Sequence, residues 1–185
     1  MTMEKIITQL PEIKLVGIST RTNNEAEENI FTMKIFRTLR QYFNEGLQEK
    51  IMHRVKPGTT YCAYTKYRTD FITGRYNYRS EYTYFVGEEV SSFDDLPEGF
   101  TTLTIPAQNY VKFTNGPGGM PEVRAELWEK VWKMSPQELG GQRAFLTDFE
   151  TYEEPFRDYQ IRIFQYRDFR RSDHQNIVLD LYLGI

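Results

Sequence analysis

One order of secondary-structure signals occurs twice along the chain, and this repeat constrains the fold more than any other feature. The first copy predicts, in order, a strand, a helix and two strands at residues 14–20, 24–51, 61–67 and 81–90. The second copy predicts the same order at residues 109–115, 121–134, 144–152 and 176–185. We therefore expect a single α+β domain over residues 1–185, with pseudo-repeats at about 1–95 and 96–185. Duplicated strand-helix-strand-strand modules predict an antiparallel sheet with two main helices and a ligand cleft at the pseudo-twofold axis, since clefts between packed units are preferred ligand sites.

The two copies differ at one chemically important position. The sequence YTKY at 64–67 aligns with FETY at 149–152, so Thr65 of the first copy corresponds to Glu150 of the second. Strand alternation places Asp148, Glu150 and Tyr152 on one face. That face is either solvated or the floor of an aromatic cleft. In a cleft, an unpaired carboxylate is costly to bury, so the site would favour a cationic ligand, and aromatic faces would add ~0.5–2 kcal/mol of cation–π attraction.

Capping signals and apolar spacing predict the two helices. In the first, Asn23 and Asn24 precede Glu27, which is typical of a helix start. Apolar residues then follow at helical spacing, although Gly46 predicts an early end or a kink: Phe36, Leu39, Phe43, Leu47 and Ile51. In the second, Pro121 suits the first helical position, and the apolar stripe consists of Val123, Leu127, Val131 and Met134, flanked by Trp128 and Trp132.

The long polar connection at 153–175 has no equally long counterpart in the first copy, and we expect an extended hairpin or loop there. Its arginines alternate with aromatic residues, a combination that can bind single-stranded nucleic acid. Nearby carboxylates largely cancel the positive charge, so a solvated hairpin is the favoured interpretation. The connection could also cover the cleft or mediate self-association.

Composition argues against several classes of function. The net charge of −3 and the pI of about 5.6 provide no basic field, so no direct nucleic-acid partner is expected. No apolar run approaches the ~18 residues of a membrane span, so no membrane partner is expected either. The single cysteine, Cys62, suits a reducing compartment, and we expect a cytoplasmic protein. His53 and His174 are isolated, so no metal site is predicted. No cofactor is expected, because no P-loop or dinucleotide spacing occurs, and no catalytic residue is predicted, because no serine or cysteine lies in a recognisable nucleophile motif.

Several short sequences in fixed order carry a resemblance to a known family. They are EYTYFVGEEV at 81–90, LPEG at 96–99, IPA at 105–107, YVKF at 110–113, LW at 127–128, FETY at 149–152 and LYLGI at 181–185. In order and spacing, the chain resembles the GyrI-like, or bacterial transcription-activator effector-binding, domain over nearly its whole length. With about thirteen residues before the first strand, it resembles a stand-alone member, without the helix-turn-helix domain of the transcription regulators.

The resemblance implies binding of bulky, cationic or amphipathic drugs in an aromatic cleft, for sensing or sequestration. The family's buried glutamate corresponds to Glu150, and the candidate walls are Tyr152, Tyr82, Tyr84, Trp128 and Tyr182. Alternation means that these aromatic residues cannot all face one cleft. The expected partner is a small organic cation, while a homodimer or a protein partner stays open. Two alternatives remain: hydrolysis of strained, electrophilic natural products with Glu150 as general base, and a gyrase-modulator-like interaction module.

Overall fold

The computed structural model describes residues 4–68, 77, 79–166 and 176–185, and these form an α+β fold as predicted. The eight strands are β1 Glu4–Leu10, β2 Ile13–Thr22, β3 Thr60–Thr65, β4 Tyr82–Glu89, β5 Thr101–Ile105, β6 Gln108–Gly118, β7 Thr147–Tyr152 and β8 Ile177–Gly184. The helices are α1 Asn24–Glu27, α2 Ile35–Asn44, a 3-10 turn at Leu47–Lys50, α3 Glu122–Trp132, α4 Pro136–Leu139 and α5 Glu154–Tyr166.

All eight strands join one antiparallel sheet, in the order β1-β6-β8-β7-β3-β4-β2-β5. The two central strands, β3 and β7, come from different halves of the chain, and Cys62 lies directly opposite Glu150. The sequence alignment of the two copies, which matched Thr65 with Glu150, was wrong, because the two side chains lie on opposite faces of the sheet. Thr65 is three residues beyond Cys62 and therefore points to the opposite face of the sheet, whereas Tyr64 shares the face of Glu150.

The helices pack on one face of the sheet. On that face, Phe43 of α2, Leu127 of α3 and Phe156 of α5 join one hydrophobic cluster with residues of the strands. The other face carries a smaller cluster made by strand residues such as Phe85, Tyr110 and Phe149. In the described part of the chain, no helix has the length and apolar character needed to cross a membrane.

The single helix predicted at 24–51 was wrong, because three short helical segments occupy this region. Asn23 caps α1 as predicted, its side chain accepting a hydrogen bond from the amide of Ala26 at 2.8 Å. The chain then loops out, and the Glu27 carboxylate accepts hydrogen bonds from the amides of Lys34 and Ile35 at the start of α2, at 2.9 and 3.1 Å. Gly46, with φ of +61°, follows the end of α2 in a left-handed conformation that favours glycine.

The hairpin or loop expected at 153–175 was also wrong over its described part, which is the helix α5. Phe156 packs edge-on against Phe43 at 6.0 Å and stacks on Tyr152 at 4.0 Å between ring centroids. This packing fixes the helix over the end of β7. Residues 167–175 lie outside the described residues, as do 69–76 and 78 of the polar connection after β3.

Candidate functional site

A cavity of about 810 Å³ lies on the helical face of the sheet. Its floor consists of side chains from β3, β4 and β7, and its walls come from α2, α3 and α5. The floor residues are Cys62, Tyr64, Tyr82, Tyr84, Glu150 and Tyr152. This volume is within the range of small-molecule sites, which are concave, mostly apolar and few per protein.

Glu150 is the buried carboxylate of the floor, with 1% of its surface exposed. The alternation of β7 brings Glu150 and Tyr152 to the cavity side, while Phe149, which directly precedes Glu150, joins the cluster on the other face. A carboxylate at this depth requires hydrogen-bond donors or a counter-charge, because burial without them is costly.

Four side chains donate hydrogen bonds to Glu150. Its Oε1 atom accepts bonds from Tyr64 Oη at 3.2 Å, Arg124 Nε at 3.0 Å and Trp128 Nε1 at 2.5 Å. Its Oε2 atom accepts a bond from Tyr152 Oη at 2.9 Å. Both carboxylate oxygens are therefore satisfied by the protein itself.

Arg124 supplies the counter-charge of Glu150, so the expectation of an unpaired carboxylate was wrong. The arginine Nη2 also donates to Tyr64 Oη at 2.5 Å, which closes a triangle of arginine, tyrosine and glutamate. About a third of the Arg124 side chain is exposed, and it lines the cavity. Burial is the largest single influence and opposes its charge, but Glu150, Tyr64 and Tyr152 together outweigh that cost, so the pKa of Arg124 lies well above its usual value.

The aromatic residues of the floor pack closely and carry no charge. The ring of Tyr64 meets the rings of Tyr82, Tyr84 and Trp128 edge-to-face, with centroids 5.7, 5.5 and 5.3 Å apart. Burial raises the pKa values of Tyr64, Tyr84 and Tyr152 well above 10, and the charge of Glu150 contributes in each case. The tyrosines are therefore neutral donors and aromatic walls, and not acids or bases, at any ordinary pH.

The cavity lining carries an excess of negative charge. Its charged side chains are the carboxylates Glu27, Glu28, Glu129 and Glu150 and the basic residues Arg124, Lys133 and Arg143. Arg143 forms an ion pair with the fully buried Asp148, which is not part of the lining. The lining therefore holds four carboxylates against two remaining cations.

Large apolar side chains surround the same cavity. Phe36 of α2 and Trp132 of α3 line it while remaining about half exposed, at 49% and 47%. Trp132 contacts Trp128 edge-on at 6.3 Å, so an aromatic strip extends from the exposed part of α3 to Glu150. An amphipathic molecule can bury its rings against this strip and direct a charge inwards.

Five of the six residues proposed from the sequence line the cavity: Glu150, Tyr152, Tyr82, Tyr84 and Trp128. The sixth, Tyr182, was wrongly placed. Tyr182 lies on the other face of the sheet, stacked on Phe149 with centroids 4.5 Å apart. Its neighbours Leu181 and Leu183 belong to the helical side, so strand alternation separates Tyr182 from the cavity.

Sequence reasoning missed Arg124 and Tyr64. Arg124 precedes Trp128 by four residues on α3, and residues at this spacing lie on the same helical face. That spacing could have identified Arg124, because Trp128 was already a candidate wall. Tyr64 could have been found from its position on β3 only with the correct register against β7.

A known family model covers almost the whole chain. The family model described as Cass2, an integron-associated effector binding protein, matches residues 6–185. A search of curated proteins gives no match.

Solved structures share the fold at low sequence identity. An integron cassette protein from the mobile metagenome of Vibrio cholerae is 21% identical, with a TM-score of 0.65 over 97% of this chain and 94% of that one. The protein SAV2435, solved bound to tetraphenylphosphonium, is 15% identical, with a TM-score of 0.65 over 98% and 93%. EcmrR, solved in complex with DNA, is 12% identical, with a TM-score of 0.52 over 98% of this chain and 57% of that one.

Proposed function

Because this chain belongs to the family of integron-associated effector binding proteins, a family that suggests small-molecule binding, we propose that its cavity binds a bulky, aromatic organic cation. The observation that carries the proposal is the buried carboxylate of Glu150 at the floor of an aromatic cavity of about 810 Å³. A lipophilic cation matches both features, since its rings replace water against tyrosine and tryptophan and its charge faces a carboxylate.

Charge and shape together support a cation over a neutral compound. The lining has four carboxylates against two cations once Arg143 is assigned to Asp148. The similar structure of SAV2435 was solved with tetraphenylphosphonium, a cation of this class. Stoichiometric binding, as in sensing or sequestration, fits this arrangement better than turnover does. Both oxygens of Glu150 already accept hydrogen bonds from the protein, which disfavours a general base.

Isothermal titration calorimetry with tetraphenylphosphonium tests the proposal. We expect wild-type protein to bind one equivalent, and Glu150→Gln to weaken binding by about tenfold or more, which corresponds to ~1.4 kcal/mol. The substitution removes the attractive charge and leaves Arg124 uncompensated beside the ligand. Glu153→Gln is the matched control, because it removes a carboxylate that is exposed and pairs with Lys56 outside the cavity.

The control variant should bind like the wild type. Equal affinity of wild type and Glu150→Gln would contradict the role of Glu150. Absence of any heat of binding for tetraphenylphosphonium and for other lipophilic aromatic cations would contradict the proposed ligand class.

A further inference from the structure

Arg124 occupies the place beside Glu150 where the charge of a cationic ligand would be most stable. Its Nε atom lies 3.0 Å from Glu150 Oε1, and its Nη2 atom donates to Tyr64 Oη. Trp128, one turn further along α3, donates to the same carboxylate oxygen. The protein thus presents a carboxylate to the cavity and neutralises it with a side chain that lines the same cavity.

We propose that Arg124 is an exchangeable internal counter-ion, which a cationic ligand displaces from Glu150. This inference rests on the proposed function and identifies the residue that sets the affinity and the class of cation. With Arg124 in place, the pair with Glu150 is neutral overall, and an incoming cation meets the repulsion of a guanidinium at short range. With Arg124 withdrawn, the ligand charge faces Glu150 directly.

The surroundings permit this exchange. Glu150 keeps three neutral donors after Arg124 leaves, namely Tyr64, Trp128 and Tyr152, so the carboxylate remains hydrogen-bonded. Arginine has a long, flexible side chain, and about a third of that of Arg124 is already exposed. Once the ligand is bound, the cavity holds both the positive charge of Arg124 and that of the ligand, and the carboxylates of the lining offset them.

The exchange also defines which cations can bind. To bind, a small, strongly hydrated ammonium ion would have to lose its hydration and displace Arg124. It would still leave most of the cavity unfilled, so it should bind weakly. A large cation with its charge shielded by aromatic rings loses little hydration and gains burial against the strip of Trp128 and Trp132. Arg124 thereby selects lipophilic aromatic monocations against small polar cations.

The variant Arg124→Gln tests the inference by calorimetry with two probes of similar shape. Tetraphenylphosphonium carries the charge, and triphenylphosphine oxide is neutral with a hydrogen-bond acceptor. We expect Arg124→Gln to bind tetraphenylphosphonium about tenfold more tightly than wild type and the neutral probe about equally. The double variant Arg124→Gln/Glu150→Gln should lose the gain, and Arg124→Lys, which retains a cation, should stay near wild type.

Unchanged or weaker binding of the cation by Arg124→Gln would overturn the inference. A loss confined to the neutral probe would instead identify Arg124 as a donor to the ligand, which also overturns it. A crystal structure of wild type with tetraphenylphosphonium provides a measurement that does not depend on variant folding. We expect the distance from Arg124 Nε to Glu150 Oε1 to exceed 4 Å, and a retained contact of about 3 Å would contradict displacement.

The same titrations separate this inference from the proposed function. If binding by wild type depends on Glu150 but not on Arg124, the result would support the proposed function and contradict the displacement of Arg124. Binding by Arg124→Gln alone would overturn the exchange, since the arginine of the wild type would then block the cation without being displaced by it. Failure of every variant to bind either probe would remove both proposals.

Discussion

Glu88 shows how strongly neighbouring residues decide the state of a buried carboxylate. It lies on β4 with 1% of its surface exposed, as buried as Glu150. Its Oε2 atom has no hydrogen-bond partner among the described residues, and Arg54 approaches that atom only to 3.6 Å. Burial therefore raises the pKa of Glu88 from its ordinary value of 4.5 to about 7, although Arg54 opposes the shift.

The raised pKa of Glu88 predicts a pH-dependent stability. Between pH 4.5 and 7, the folded protein binds a proton at Glu88 more tightly than the unfolded chain does, so stability falls as pH rises through this window. We expect the stability of wild type relative to Glu88→Gln to decrease by on the order of 2 kcal/mol from pH 4.5 to pH 8. Urea unfolding at several pH values measures this difference.

Glu49→Gln is the control for Glu88, since Glu49 contacts the same Arg54 but is mostly exposed. Its stability should follow the wild-type pH profile. Parallel profiles for wild type and Glu88→Gln would show that burial of Glu88 does not shift its titration.

Residue-level prediction succeeded where a single pattern decides and failed where two elements must meet. The alternation of β7 was enough to place Glu150 and Tyr152 on one face. The pairing of Glu150 with Arg124 depends on how α3 crosses the sheet, and no local pattern encodes that crossing. The sequence-based prediction of a cationic ligand assumed that Glu150 is unpaired, whereas in the structure Glu150 forms an ion pair with Arg124.

At the level of elements, a close contact of two glycines holds β2 against β4. Gly17 and Gly87 face each other directly in the antiparallel register. A Cβ atom on Gly17 would lie 2.0 Å from the carbonyl oxygen of Val86, a distance that forces the backbone to move. The absence of a side chain at this position therefore allows the two strands to approach closely.

Replacement of Gly17 by alanine should separate these strands. We expect Gly17→Ala to lower the free energy of unfolding by about 3 kcal/mol, since overpacking typically costs 1–3 kcal/mol and this clash is with backbone. Gly46→Ala provides the comparison, because Gly46 has φ of +61° but no atoms within 4 Å of an added Cβ. It should cost only the ~1–2 kcal/mol of a left-handed alanine.

Urea unfolding measures both glycine variants. A cost for Gly17→Ala no greater than that for Gly46→Ala would show that the strands can shift without loss. Reduced solubility of Gly17→Ala alone would agree with the expectation, because separated strands expose edges that associate.

The strands were predicted more accurately than the helices, for a physical reason. Strands of this sheet alternate faces regularly, whereas the region 24–51 lacks one continuous apolar stripe, since the loop between α1 and α2 exposes Ile30 and Phe31. In α5, aromatic and β-branched residues at mixed spacing fit a strand or a helix equally well. Packing of Phe156 against Phe43 of α2 favours the helix. Because that contact joins residues over a hundred positions apart, no local sequence pattern predicts it.

For the whole molecule, the strand order supports the proposed duplication. Read from either edge, the sheet has corresponding strands in corresponding places: β1 matches β5, β6 matches β2, β8 matches β4 and β7 matches β3. An axis relating them would pass between β3 and β7, beside Glu150. We therefore keep the internal duplication as a proposal, with the cavity close to its axis.

The same order interlocks the two halves. Strand β1 belongs to the first half but pairs with β6, and β5 belongs to the second half but pairs with β2. The pairing of β3 with β7 is the third that joins the two halves. Each half alone would leave the edges of its central strand and of its outer strand unpaired, and such edges promote association.

This topology predicts the behaviour of a chain cut at the exposed turn after Asp95. We expect fragment 1–95 or 96–185 alone to be unfolded or aggregated, and the coexpressed fragments to copurify as a folded complex, because the three pairings can re-form between them. An affinity tag on one fragment and circular dichroism of the product measure the outcome. A chain cut between Ala63 and Tyr64, inside β3, is the control and should not reassemble. A cooperatively folded monomer of 1–95 alone would contradict the interlocked halves, since its edge strands would then be stable without β6 and β7.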